Sequence, residues 1–162
     1  MSEKNLEALF LHNLKDIYFA EQQIAAAMPE MIKAAESEEL RAAFETHARE
    51  TQDQIRRLEQ IFAIMGQTPE AAPCEGILGI LKEGQSTMAA FAGGEALEAG
   101  LIAAAQSIEH YEIARYGTLR AWARQLGLSE VSELVERSLD EETDTDELLS
   151  EIAETAINPE AV

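Results

Sequence analysis

The chain has 162 residues, enough for one domain that buries about 70% of the surface of its unfolded chain without disulfide staples. Its 31 Asp and Glu stand against 12 Lys and Arg, a formal net charge of −19. That charge has the wrong sign for nucleic acid and for anionic lipid, and the longest uncharged stretch, Gly84 to Gly94, falls far short of the roughly 20 apolar residues of a membrane span.

Aromatics are 6% of the chain and Pro and Gly are sparse, while Ala, Leu, Glu and Gln are prominent, the composition of long helices. A first helix is predicted over residues 3–35, with Leu6, Phe10, Ile17, Ile24, Met28 and Met31 on one face. Pro29 is expected to kink it unless the helix divides there. A second helix, 38–65, has Ser37 as N-cap, Glu38 and Glu39 in its first turn and Gly66 as its stop. Its stripe is Leu40, Phe44, Ile55, Leu58, Ile61, Phe62 and Met65. Gln67 to Gly84 reads as a connection with a short helical piece around Ile77 to Leu81. The third long helix is expected over 86–126, ending at Gly127, and the fourth over 130–157, capped by Ser129 and closed by Pro159.

Tight turns at Glu36–Ser37 and Gly127–Leu128 make each helix pair an antiparallel hairpin. The second helix is about 45 Å long at 1.5 Å per residue, and the middle connection, fully extended, reaches about 60 Å. It is long enough to cross the bundle, so the predicted fold is an all-α, single-domain, up-down-down-up four-helix bundle over 1–162, the connectivity of ferritin-like bundles.

Extending each apolar stripe by helical spacing runs it into acids. Glu21 falls between Ile17 and Ile24; His47, Thr51 and Gln54 fall between Phe44 and Leu58, with Glu50 beside them. The third helix continues from Ile102 and Ala105 into Glu109, Glu112 and Tyr116, and the fourth from Val135 and Leu139 into Glu142 and Asp146. Counted from the end that holds Glu3, Gly66 and Gly127, Glu21, Glu50, Glu109, Glu112 and Glu142 all lie 15 to 18 residues along, a scatter of about 5 Å. Acids from all four helices therefore meet in one layer.

An uncompensated buried charge costs several kcal/mol. The expected compensation is a pair of divalent ions held by Glu21, His47, Glu50, Glu109, Glu112, Glu142 and Asp146. Carboxylates with some imidazole favour iron or manganese, and Cys74, the one cysteine, excludes a thiolate cluster within the chain. Met1 to Asn5 lacks the basic and apolar regions of a signal peptide, so the expected compartment is the cytoplasm.

The pattern resembles the ferritin-like superfamily, and within it the YciF-like branch of bacterial stress proteins. The resemblance rests on Asp16-Ile17-Tyr18-Phe19-Ala20-Glu21 with Gln23, on Phe44 to His47 leading to Glu50, Thr51 and Gln54, on the long string from Leu101 through Glu109-His110-Tyr111-Glu112 to Leu119, and on Glu141-Glu142 with Thr145-Asp146. It implies a short fifth helix in the crossover, here 77–83, and a homodimer. Members look like portions of rubrerythrin, a di-iron protein. The rubrerythrin ligand pattern transfers to Glu21, to Glu109-x-x-Glu112 and to Glu142. It differs on the second helix, where Glu-x-x-His is reversed to His47-x-x-Glu50, and on the fourth, where Asp146 stands in place of a histidine. Rubrerythrin also carries a thiolate iron domain for electron supply, which this sequence does not match, so an external electron donor is implied.

The expectation is a dinuclear-metal protein of the stress response, acting on dioxygen or peroxide or handling metal. The alternative is a non-catalytic dimeric scaffold in which the acids are protonated or paired with Arg41, Arg49, Arg56 or Arg115. His110 is expected at a helix or dimer contact, and Cys74 at the subunit contact.

Overall fold

The computed structural model describes residues 4–162. Five α-helices follow in order: α1 (Leu6–Ala34), α2 (Glu38–Ile64), α3 (Glu75–Phe91), α4 (Leu97–Gln125) and α5 (Ser129–Ile152). No strand occurs among the described residues. The expected start at residue 3 lies outside them; within them, α1 begins at Leu6 because the Asn5 side chain accepts the Ala8 N–H at 2.9 Å and caps it. Pro29 does not divide α1, which runs unbroken through it.

The hairpin turns follow from local chemistry. Ser37 Oγ accepts the Leu40 N–H at 3.1 Å, as its cap role requires. Gly66 and Gly127 take φ values of +67° and +73°, a region that costs an L-residue roughly 1–2 kcal/mol. Each is followed by a six-residue closing bond, Gln67 N–H to Phe62 O at 2.8 Å and Leu128 N–H to Ala123 O at 2.9 Å. The Leu128 carbonyl accepts the Ser132 N–H at 2.9 Å, the first bond of α5, so α5 starts at Ser129 itself, not after it; Leu128 takes the cap position with no side-chain cap bond. Beyond Ile152 the chain continues through a π-turn, Ala153–Ile157, and a 3₁₀ turn containing Pro159.

The crossover corrects two expected boundaries. The short helix expected at 77–83 extends over Glu75–Phe91, and the long helix expected from residue 86 starts at Leu97. Between them Gly93 adopts φ +73°, and bonds from Gly94 N–H to Phe91 O and from Leu97 N–H to Gly94 O close a tight reversal. α3 climbs the outside of the bundle against α4, and the approach is close: a Cβ on Gly100 would meet Thr87 Cγ2 at 2.8 Å.

Helix directions are fixed by contacts at the ends. Glu98, at the start of α4, accepts the backbone N–H groups of Glu36 at 2.9 Å and Ser37 at 2.8 Å, placing that start beside the α1–α2 turn. Towards the other end, Arg115 donates to Asn13 Oδ1 at 2.7 Å. The four long helices therefore run up, down, down, up, with α1 beside α2 and α4, and α5 beside α4 and α2.

Two apolar zones fill the interior. One contains Phe10, Leu14, Ile17, Leu58, Phe62, Leu119, Val131 and Val135; the other Ile24, Met28, Leu40, Phe44, Leu101, Leu149 and Ile152, all buried. Each fully buried side chain of this size contributes about 1.5–3 kcal/mol relative to exposure. Between the two zones, in the order of residues along every helix, lies a polar layer sealed from water.

Candidate metal centre

Each helix delivers its part of that layer by ordinary helical phase. On α1, Glu21 lies between Ile17 and Ile24, and all three are fully buried. On α4, Glu109, Glu112 and Tyr116 recur at three and four residues and share one inward face. α5 supplies Glu142, and α2 supplies His47, Thr51 and Gln54. Glu21, Glu112 and Glu142 are 0% exposed, Glu109 1% and His47 3%.

Within the layer, His47 Nδ1 stands 3.4 Å from Glu109 Oε1 and 3.9 Å from Glu142 Oε2. His47, Glu109, Glu112 and Glu142 each offer one ligand atom, and these atoms all lie within 4.8 Å of one another. Two atoms each about 2.1 Å from one ion stand about 3.4 Å apart at a tetrahedral angle, the spacing of the His47–Glu109 pair. Tyr116 donates its hydroxyl to Glu21 Oε1. Gln54 Nε2 donates to Glu142 Oε1, and also to Glu141 Oε2 at 3.1 Å, while Arg57 pairs with Glu141 at the rim.

The layer is short of partners. Glu21 Oε2, Glu109 Oε2, Glu142 Oε2, Gln54 Oε1, both oxygens of Glu112 and both nitrogens of His47 are buried without a hydrogen bond. Natural interiors leave few such atoms, each costing about 1–3 kcal/mol. The four candidate arginines are engaged elsewhere. Arg41 donates to Ala35 O, Arg49 to Thr46, Arg56 pairs with Asp53, and Arg115 binds Asn13. The orphaned set is acceptor-rich and convergent, and its carboxyls can give up their protons to ligate, so it fits divalent cations.

Protonation follows the same environment. Burial, with the Glu142 charge adding to it, pushes Glu21 up to about 8, and the Tyr116 hydroxyl partly opposes the rise. Glu109 and Glu112 lie well above the usual carboxylate range, first through burial and then through neighbouring carboxylates. Burial lowers His47, favouring the neutral imidazole that binds metals. Burial and the Glu21 charge raise Tyr116 well above the normal phenol.

Two of the expected ligands sit at the rim. Glu50 is half-buried and accepts the Thr145 hydroxyl at 3.4 Å. Asp146 accepts from Gln106 at 3.2 Å and stands 3.3 Å from His110 Nε2, whose side chain is 67% exposed. Cys74 is buried with Sγ 3.0 Å from Tyr111 Oη. Gln54 is the site residue that acid-counting passes over; its position on the inward stripe between His47 and Leu58 was the available signal.

Residues 5–162 match the family described as "Domain of unknown function (DUF892)". Protein YciF of Escherichia coli (strain K12) is 36% identical over 162 residues, which cover 99% of this chain and 98% of that protein. The crystal structure of the E. coli stress protein YciF superposes with a TM-score of 0.91, covering 96% of this chain and 99% of that one at 36% identity. The solved structure of YcfI from Rhodopseudomonas palustris gives a TM-score of 0.89 at 43% identity, covering 93% and 97% of the two chains.

Proposed function

The chain belongs to the YciF-like family of ferritin-like bundles, and on that premise we propose that it is a stress-response protein that holds up to two divalent ions, iron or manganese, in its carboxylate layer, and acts on dioxygen or peroxide or in metal handling. The observation that carries this reading is the orphaned layer itself: four buried glutamates and one buried histidine with convergent oxygens and nitrogens that find no hydrogen-bond partner. A fold that kept such a layer for stability alone would gain from apolar replacements.

Glu109, Glu112, Glu142 and His47 are the residues that would hold an ion, with Glu21 completing the ring. Bound iron or manganese supplies Lewis acidity and a change of oxidation state toward dioxygen or peroxide. The protein's own part is positional. Tyr116 fixes Glu21 through its hydroxyl, and Gln54 fixes Glu142 while itself held by the Arg57–Glu141 pair. The apolar zones on both sides exclude water, which strengthens every electrostatic contact inside. The reading includes a homodimer and an external electron donor. Among the described residues no helix is long and apolar enough to cross a membrane.

The test is metal analysis of protein purified from iron- and manganese-replete cells, paired with melting of the stripped and reloaded forms. An ion that binds only the native state at about 100 times its Kd adds about 2.7 kcal/mol, or roughly 5–10 °C in a chain of this size. Absence of bound metal, with Glu21→Ala and Glu109→Ala leaving stability unchanged, overturns the reading. Peroxide consumption by the loaded protein separates catalysis from storage.

A further inference from the structure

We propose that the layer fills stepwise at two unequal positions: a first divalent ion taken by His47, Glu109, Glu112 and Glu142, and a weaker second ion that adds only Glu21 and otherwise shares carboxylates with the first. This rests on the metal-binding reading above and gives it an order of uptake.

The inequality is built into the donor set. The four residues of the first position converge to within 4.8 Å, and Glu21 lies outside that group. One Glu21 oxygen is already engaged by Tyr116, which leaves Oε2 to offer. The other two acids expected to serve a second position have partners at the rim: Glu50 accepts from Thr145, and Asp146 accepts from Gln106 and faces His110. On α2 the buried side chain that reaches Glu142 and Glu141 is Gln54, whose amide donates to both. It brings no charge, and it occupies one oxygen of Glu142.

A second ion would therefore meet one new carboxylate, no imidazole of its own and the repulsion of the first ion. The chemistry of the two positions differs as well. An imidazole with carboxylates suits iron, cobalt or zinc, whereas an all-oxygen set suits a harder ion such as manganese.

The test is titration of the stripped full-length chain with Co²⁺, followed by calorimetry and visible absorbance, with the retained metal counted after desalting. The expected result is one Co²⁺ retained per chain and a second bound only at concentrations at least about tenfold higher. Mn²⁺ added to the one-cobalt form fills the second position without displacing the first ion. Glu21→Gln keeps the first ion and loses the second. Gln54→Glu, which supplies an α2 carboxylate, tightens the second by about tenfold or more. Two ions of equal affinity in the unaltered protein, or loss of both in a folded Glu21→Gln variant, overturns stepwise filling and leaves the metal-binding function standing. No uptake at any concentration overturns both.

Discussion

Tyr116 on α4 donates its hydroxyl hydrogen to Glu21 Oε1 on α1, and both side chains are fully buried. The bond joins two helices directly at the polar layer. Tyr116→Phe removes the hydroxyl donor from Glu21 Oε1. The expected cost is about 1–3 kcal/mol in the metal-free protein, read from urea unfolding. Because the hydroxyl holds the Glu21 pKa down, the variant also keeps Glu21 protonated to a higher pH. A stability unchanged within error would show that the hydroxyl contributes nothing to the layer.

The metal-free protein should lose stability as pH rises. Glu21, pushed up to about 8, and Glu109 and Glu112, also raised, keep protons in the folded state that the unfolded chain releases near pH 4.3. Between those limits the native state binds more protons, so each such group contributes a fall of up to about 1.4 kcal/mol per pH unit. His47 acts in the opposite sense. Its lowered pKa gives stability that is present above pH 6.5 and lost as pH falls through the range below it. Below pH 6.5 it offsets part of the carboxylate effect, so the decline steepens above that point. Urea unfolding of chelator-treated protein from pH 5.5 to 8 checks this, and a stability that rises across the range contradicts it. Metal affinity should run the other way, because ligation requires the same protons to leave.

Much of this was legible in the sequence because helical periodicity fixes direction. Glu21 between Ile17 and Ile24 has no outward option once both isoleucines are buried, and Glu109 with Glu112 continues the face of Ile102 and Ala105. Residues at the edge of a stripe are different. Glu50 lies about 60° around the helix from His47 and about 40° from Gln54, at the edge of the inward face, and tertiary partners such as Thr145 decide its position. Asp146 is likewise settled by Gln106 and His110, which belong to another helix. The reversal at Gly93 was hidden for another reason. The run from Gln85 to Ala92 favours a helix, and its propensity does not reveal that the chain must turn back at the top of the bundle to start α4 beside Glu36 and Ser37.

Gly127→Ala separates the scaffold from the site. At φ +73° an added Cβ costs roughly 1–2 kcal/mol, and no neighbouring atom lies within 4 Å of it, so the cost is one of backbone conformation alone. The expected result is a melting point lowered by a few degrees with metal stoichiometry unchanged. Loss of metal binding in the folded variant would mean that the α4–α5 turn sets the register of Glu112 against Glu142.

Glu112→Gln should stabilise the metal-free protein and weaken the loaded one. Both Glu112 oxygens are buried without a hydrogen bond, and burial first, then the charges of Glu142, Glu21 and Glu109, make it hold its proton. An amide of the same shape needs no proton to stay neutral and offers N–H groups to those carboxylates. At pH 8 the stripped variant should be more stable than the unaltered protein by about 1–3 kcal/mol. With metal present the order reverses, since a neutral ligand replaces an anionic one at the centre of the ring. The stability curves of the two proteins, measured against metal concentration, should therefore cross. Parallel curves would mean that Glu112 does not ligate, and a variant less stable than the unaltered protein even when stripped would mean that the acid serves the fold before it serves any ion.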